Sequence, residues 1–209
     1  MGKHGEAETE TKENEEVGTA HHFDFFDELD SLTFTRRILV LNSRITEYTS
    51  GKLTRAFEVL SASPEPITLL ISSDGGDFYA GATIIRAIQT AQSRGCTVLG
   101  EVRGYAMSMA AIILQYCDVR FAATEDTVML HGATVAIGDT DVRGQKSELA
   151  LIEKKSDELA RFLADRNTAD IPLDYWEGLL RDNHPHYFSG QEALDKGLID
   201  SVLRAGSNS

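Results

Sequence analysis

Residues 97–114 read Thr97-Val98-Leu99-Gly100-Glu101-Val102-Arg103-Gly104-Tyr105-Ala106-Met107-Ser108-Met109-Ala110-Ala111-Ile112-Ile113-Leu114. The first six residues form a strand-like run, and residues 109–114 are apolar on every side, which suits a helix buried all round. Between the two, a single hydroxyl, Ser108, sits among small and apolar neighbours. Ala106 and Ala110, two residues to either side, meet the steric demand of a nucleophile elbow, where the backbone folds tightly beneath an exposed Oγ. The literal G-x-S-x-G is absent, and a serine before a buried helix is by itself an N-cap or a core hydroxyl. Catalysis therefore needs support from the rest of the chain.

Working outward, residues 37–41 and 67–71 are continuous apolar runs of strand length. Between them Leu53, Ala56, Phe57 and Leu60 recur at i, i+3, i+4, i+7, a helix stripe that Pro64 and Pro66 end. Ile84, Ile85, Ile88 and Ala91 mark a second helix, closed by Gly95. After the Ser108 helix, residues 119–122 and 127–130 are predicted strands. Strands alternating with helices at this spacing give an α/β fold, a parallel-type sheet covered by helices. Beyond His131, residues 133–137 read as a further strand. Leu149, Ile152, Leu159 and Leu163 then stripe a long, otherwise charged helix that faces either its own domain or another subunit. Ser189-Gly190-Gln191-Glu192 is a capping box opening a short helix, and Gly197 ends it before a predicted strand over 198–203.

Composition sets the outer bounds. The 209 residues are 42% hydrophobic, enough for one globular domain with a full core plus an appendage. The expected organisation is an acidic N-terminal tail over 1–32, a folded domain over 33–204 and a short C-terminal tail over 205–209. Glu6, Glu8, Glu10, Glu13, Glu15 and Glu16 leave the start of the tail almost nothing to bury, so it is expected to be disordered. The run His22-Phe23-Asp24-Phe25-Phe26 behind it is suited to docking on a neighbouring surface. His21 and His22 lack a third ligand nearby, and no metal site is expected there. Lys and Arg number 20 against 33 Asp and Glu, a net charge of −13 that argues against nucleic acid and anionic membrane as partners. Cys96 and Cys117 lie in apolar surroundings without C-x-x-C spacing and read as buried free thiols in a reducing compartment. No stretch reaches transmembrane length and no basic-then-apolar leader is present, so the expected location is the cytoplasm.

Three features converge on acyl transfer. Ser108 sits on its elbow. Gly75-Gly76 ends a buried strand, where backbone N–H groups can approach a ligand because no Cβ intervenes. His131 ends the run Val128-Met129-Leu130. Nucleophile, base and paired N–H donors are the parts that this chemistry requires.

The motifs Ile71-Ser72-Ser73-Asp74-Gly75-Gly76-Asp77-Phe78-Tyr79-Ala80-Gly81, Gly104 to Ala111, Val128-Met129-Leu130-His131 and Ser189 to Asp200 together resemble the proteolytic subunit of the Clp protease, in order from about Arg36 to Leu203. The resemblance implies a crotonase-like α/β fold with a protruding strand-helix handle over 133–163. It implies a serine peptidase with Ser108 as nucleophile, His131 as general base and the N–H groups of Gly76 and Met109 as oxyanion hole. It implies no cofactor, assembly into two stacked heptameric rings (a tetradecamer) that meet through the handles, and an AAA+ unfoldase that feeds the chamber unfolded protein. Residues just after Gly132 would pair with the substrate backbone.

The chain also departs from the family pattern. The triad carboxylate is expected two residues ahead of the aromatic in the segment that here reads Tyr187-Phe188-Ser189-Gly190, and Pro185 occupies that register. Asp182 is the nearest carboxylate and is the expected third member if the loop 183–186 bulges. The other options are His184, His186, a backbone carbonyl or no third member at all. The strand before Gly75-Gly76, Thr68-Leu69-Leu70, is less aromatic than the family's ATPase-docking cleft. The acidic tail does not resemble its axial gating segment. The departures suggest a divergent homologue, phage-encoded or an extra copy. The missing acid motivates an alternative, a non-catalytic ring subunit that co-assembles with an active paralogue. An acyl-CoA enzyme of the wider crotonase group would not need Ser108, and a dyad using Lys146 or Lys154 would not need His131.

Overall fold

Apolar strand runs and striped helices alternate through most of the chain. The computed structural model describes residues 34–132, 142–182 and 184–203. In chain order the elements are β1 (Ile38–Leu41), α1 (Glu47–Leu60), β2 (Ile67–Ser73), α2 (Phe78–Ser93), β3 (Val98–Met107), α3 (Met109–Gln115), β4 (Val119–Ala123), β5 (Thr127–Leu130), α4 (Val142–Arg166), α5 (Leu173–Arg181), β6 (His186–Ser189), α6 (Gly190–Asp195) and β7 (Ser201–Leu203). The acidic tail, the His21–His22 pair, the aromatic run 22–26, the expected strand 133–137 and the C-terminal tail lie outside the described residues.

β1, β2, β3, β4 and β7 form a parallel sheet in that order. Ile67, Leu69 and Ile71 of β2 are completely buried, as are Ile84 and Ile88 of α2, which packs with α1 over the sheet. Three helices start where a side chain satisfies one of their first free N–H groups. Thr46 and Thr49 form a reciprocal capping box on α1, and Asp77 accepts from the Ala80 N–H at 2.7 Å to open α2. Ser189 and Glu192 do the same for α6, as the sequence predicts.

β3 runs past its predicted end at Val102 to Met107 and changes partner on the way. Its amino half, Leu99 to Glu101, pairs with β4, and its carboxyl end, Tyr105 to Met107, pairs in parallel with β5. The switch falls at Gly104, with φ of 91°, a left-handed conformation that a side chain would resist. The buried Asp126 carboxylate fixes the kink, accepting the Gly104 N–H at 2.7 Å and the Ala123 N–H at 2.6 Å. β5 then takes β6 as an antiparallel neighbour.

Helix α5 and strand β6 are not anticipated from the sequence, and β7 is shorter than the expected 198–203. The α5 stripe is only Trp176, Leu179 and Leu180, too brief a repeat to be read as periodic. The long helix α4 divides its duties. Ala160 and Leu163 are buried against the domain and Phe162 stacks on Tyr116 with ring centroids 4.2 Å apart, whereas Leu149 and Leu151 stand 48% and 45% exposed. On the far side, the fully buried Arg120 forks onto Asp200 at 2.6 and 3.0 Å and onto Gln115 Oε1 at 2.6 Å, and Gln115 in turn donates to the Leu198 carbonyl.

Candidate active site

Parallel strands deliver the residues that follow them to one edge of a sheet. β2, β3 and β5 are parallel neighbours, so Gly75-Gly76, Ser108 and His131 emerge together. Met107 is in register with Met129, and the Ser108 N–H donates to the Met129 carbonyl at 2.8 Å, which holds the serine beside the end of β5. Ser108 has φ of 53° and ψ of −124°, a sparsely populated conformation of the kind that persists only where the surroundings enforce it. It occupies the N-cap position of α3 yet makes no side-chain cap bond. Its Oγ instead lies 2.8 Å from His131 Nε2. That separates Ser108 from an ordinary helix cap.

The other ring nitrogen, Nδ1, is 2.6 Å from the carbonyl oxygen of Gly132. A carbonyl can only accept, so Nδ1 carries the proton and Nε2 turns its lone pair to the serine hydroxyl. This is the tautomer that a general base requires.

The glycine pair closes the other side. Gly75, with φ of 92°, lies so near the elbow that a Cβ there would stand 2.7 Å from the Met107 carbonyl oxygen, 2.9 Å from Ser108 Cβ and 3.0 Å from the Met109 nitrogen. Ile45 ties the loop from outside, donating to the Gly75 carbonyl and accepting from the Asp77 N–H, which leaves the Gly76 N–H out of both bonds. The N–H of Met109, first residue of α3, has no acceptor within its own helix. The Met109 N–H thus adjoins Ser108, and the Gly76 N–H belongs to the loop whose Gly75 packs on the elbow; an oxyanion hole needs two such donors.

Asp182 caps the carboxyl end of α5, its N–H donating to the Gly178 carbonyl. Its carboxylate does not meet His131. Oδ1 accepts from His184 Nδ1 at 2.6 Å, and Oδ2 lies 3.4 Å from His186 Nε2, a buried nitrogen without a hydrogen bond among the described residues. The His184 hydrogen bond holds the Asp182 carboxyl below the usual carboxylate range, against the opposing effect of burial. The loop is nonetheless adjacent to the site, because Gly132 packs directly on the Leu180 carbonyl and His186 is in register with Leu130.

The sequence profile described as Clp protease matches residues 20–206. The chain belongs to the Clp protease family. It is 31% identical over 175 residues to an ATP-dependent Clp protease proteolytic subunit of Bacteroides thetaiotaomicron, spanning 80% of this chain and 74% of that one. It is 28% identical over 187 residues to proteolytic subunit 2 of Corynebacterium glutamicum, spanning 86% of each, and 34% identical over 152 residues to the Deinococcus radiodurans subunit, spanning 68% of each. The α/β architecture is consistent with the family's crotonase-like fold. Against the Clp pattern, the structure brings Ser108, His131 and the two N–H donors to one edge and gives Asp182 to two histidines. The sequence offered one sign of the Gly132 contact, a glycine directly after the histidine. It offered none for Asp126, which reads as a turn residue.

Proposed function

We propose that this chain is a serine endopeptidase of a Clp-type chamber, hydrolysing short peptides alone and unfolded proteins with an AAA+ ATPase. The supporting observation is the Ser108 hydroxyl, drawn off its helix cap and set 2.8 Å from the imidazole nitrogen whose lone pair, in the neutral ring, accepts its proton. Ser108 Oγ attacks the scissile carbonyl carbon while its proton passes to His131 Nε2. The resulting oxyanion takes the N–H groups of Gly76 and Met109, each such donor worth about 10²–10³ in kcat. His131 returns the proton to the leaving nitrogen as the C–N bond breaks. A water then gives its proton to His131, attacks the acyl carbon and releases the acid, with the proton going back to Ser108.

Family membership supports assembly into stacked heptameric rings, and the exposed Leu149 and Leu151 on α4 are suited to meeting another subunit. The buried free cysteines fit the cytoplasm. The bonded Ser108–His131 pair speaks against the non-catalytic ring subunit. Fluorophosphonate treatment followed by intact-mass analysis and peptide mapping tests the reading. A single adduct on Ser108, absent in Ser108→Ala and His131→Ala, is expected together with loss of peptide cleavage in both. Cleavage that survives Ser108→Ala refutes it.

A further inference from the structure

We propose that the backbone carbonyl of Gly132, and not the carboxylate of Asp182, is the group that positions His131; the proposal rests on the peptidase reading above. A triad acid has two duties. It fixes the histidine tautomer, and it stabilises the imidazolium that forms when the serine gives up its proton. The Gly132 oxygen, 2.6 Å from Nδ1, performs the first duty completely, since a carbonyl cannot donate. It performs the second with a dipole in place of a full charge. Replacing a triad aspartate with asparagine costs about 10⁴ in kcat because the tautomer is wrong. A carbonyl keeps the tautomer right, so the penalty for lacking the acid is smaller than that.

Two observations keep these roles apart. One Asp182 oxygen accepts from His184 at 2.6 Å, the other faces His186 at 3.4 Å, and its own N–H closes α5. Gly132 has no space for a Cβ, because the Leu180 carbonyl oxygen occupies that position. Any side chain at 132 must lift the backbone off α5 and carry the carbonyl with it. The glycine's contribution is close approach, the wall it meets is the Leu180 backbone of α5, and the Asp182 carboxylate turns to its own histidines.

The test measures three things on the full-length assembly: the rate of fluorophosphonate labelling of Ser108, kcat and KM on a fluorogenic peptide, and the protonation of the His131 ring by ¹⁵N NMR. Asp182→Asn is expected to label and cleave within about threefold of the wild type, with the same pH profile and Nδ1 still protonated. A loss of 10³-fold or more with a displaced pH profile, as removal of a triad acid produces, overturns the proposal, as does a ring protonated on Nε2. Gly132→Ala, if folded by circular dichroism and correctly sized, is expected to lose about 100-fold in kcat with little change in KM, as misplaced catalytic groups do; wild-type kcat overturns the proposal. If that variant does not fold, Asp182→Asn still decides. A wild-type chain that does not label at all refutes the peptidase reading, whatever the tautomer.

Discussion

Gly75→Ala is the most direct probe of how the site is built. The new methyl would stand 2.7, 2.9 and 3.0 Å from the Met107 oxygen, Ser108 Cβ and the Met109 nitrogen, against an ordinary contact of 3.4 Å or more. All three neighbours belong to the elbow, and two are backbone atoms that no rotamer change can move. The elbow and the glycine loop must therefore separate by about half an ångström. A misplacement of about 1 Å costs on the order of 10² in rate, so kcat/KM and the labelling rate should fall by roughly 10–100-fold, mostly in kcat. Alanine at a φ of 92° adds about 1–2 kcal/mol of backbone strain, which lowers Tm by roughly 2–8 °C in a domain of this size. Gly51→Ala is the matched control. It lies within α1 with nothing inside 4 Å of its would-be Cβ, and should gain about 0.5–1 kcal/mol with unchanged activity. Peptide hydrolysis, labelling kinetics and thermal melts on both variants make the comparison. Gly75→Ala labelling Ser108 at the wild-type rate would refute the packing of the glycine loop against the elbow.

Asp200→Asn should cost about 3 kcal/mol in urea unfolding, because it leaves the fully buried Arg120 without its charge partner. Burial pushes the Asp200 carboxyl up, but the Arg120 hydrogen bonds and charge outweigh it and set the group below the ordinary carboxylate range. Its stabilisation is thus fully present above about pH 4 and is lost as pH falls through the lowered value; the variant should show a flatter acid limb, and an identical limb would contradict the pairing. Burial pushes the Cys117 thiol up to about 12, so iodoacetamide at pH 8 should modify it only as fast as the chain unfolds. Rapid alkylation in the native state would show that Cys117 is accessible.

Much of this architecture was legible because it rests on local chemistry. Ile67 to Ile71, the Leu53–Leu60 stripe and the Ser189–Glu192 box each carry their own signal, a buried run, a 3.6-residue period and a reciprocal cap. His131 was legible because it follows directly from an apolar strand run, and Ser108 because it sits between a strand run and an all-apolar helix; parallel strands bring such ends together. The strand-like run stops at Val102, and Arg103-Gly104 breaks the apolar pattern after it. Only the distant Asp126 turns that break into a kink, and a contact 22 residues away leaves no periodic trace. α5 and β6 are short, the one following Pro172 and the other following Pro185, so three buried positions and a four-residue edge strand define them.

The group facing His131 Nδ1 was hidden for a deeper reason. A search for a third triad member looks for a side chain, and the nearest carboxylate, Asp182, answers to that description. Every residue carries a carbonyl, so no residue type marks one that has been placed at 2.6 Å from an imidazole. What marks it is the want of a Cβ at Gly132, forced by the Leu180 oxygen of a helix that the sequence did not reveal. The missing helix and the open question of the third group are therefore one omission. Once α5 is in place, Gly132 is pressed against it, and the acid that caps the helix belongs to its own two histidines.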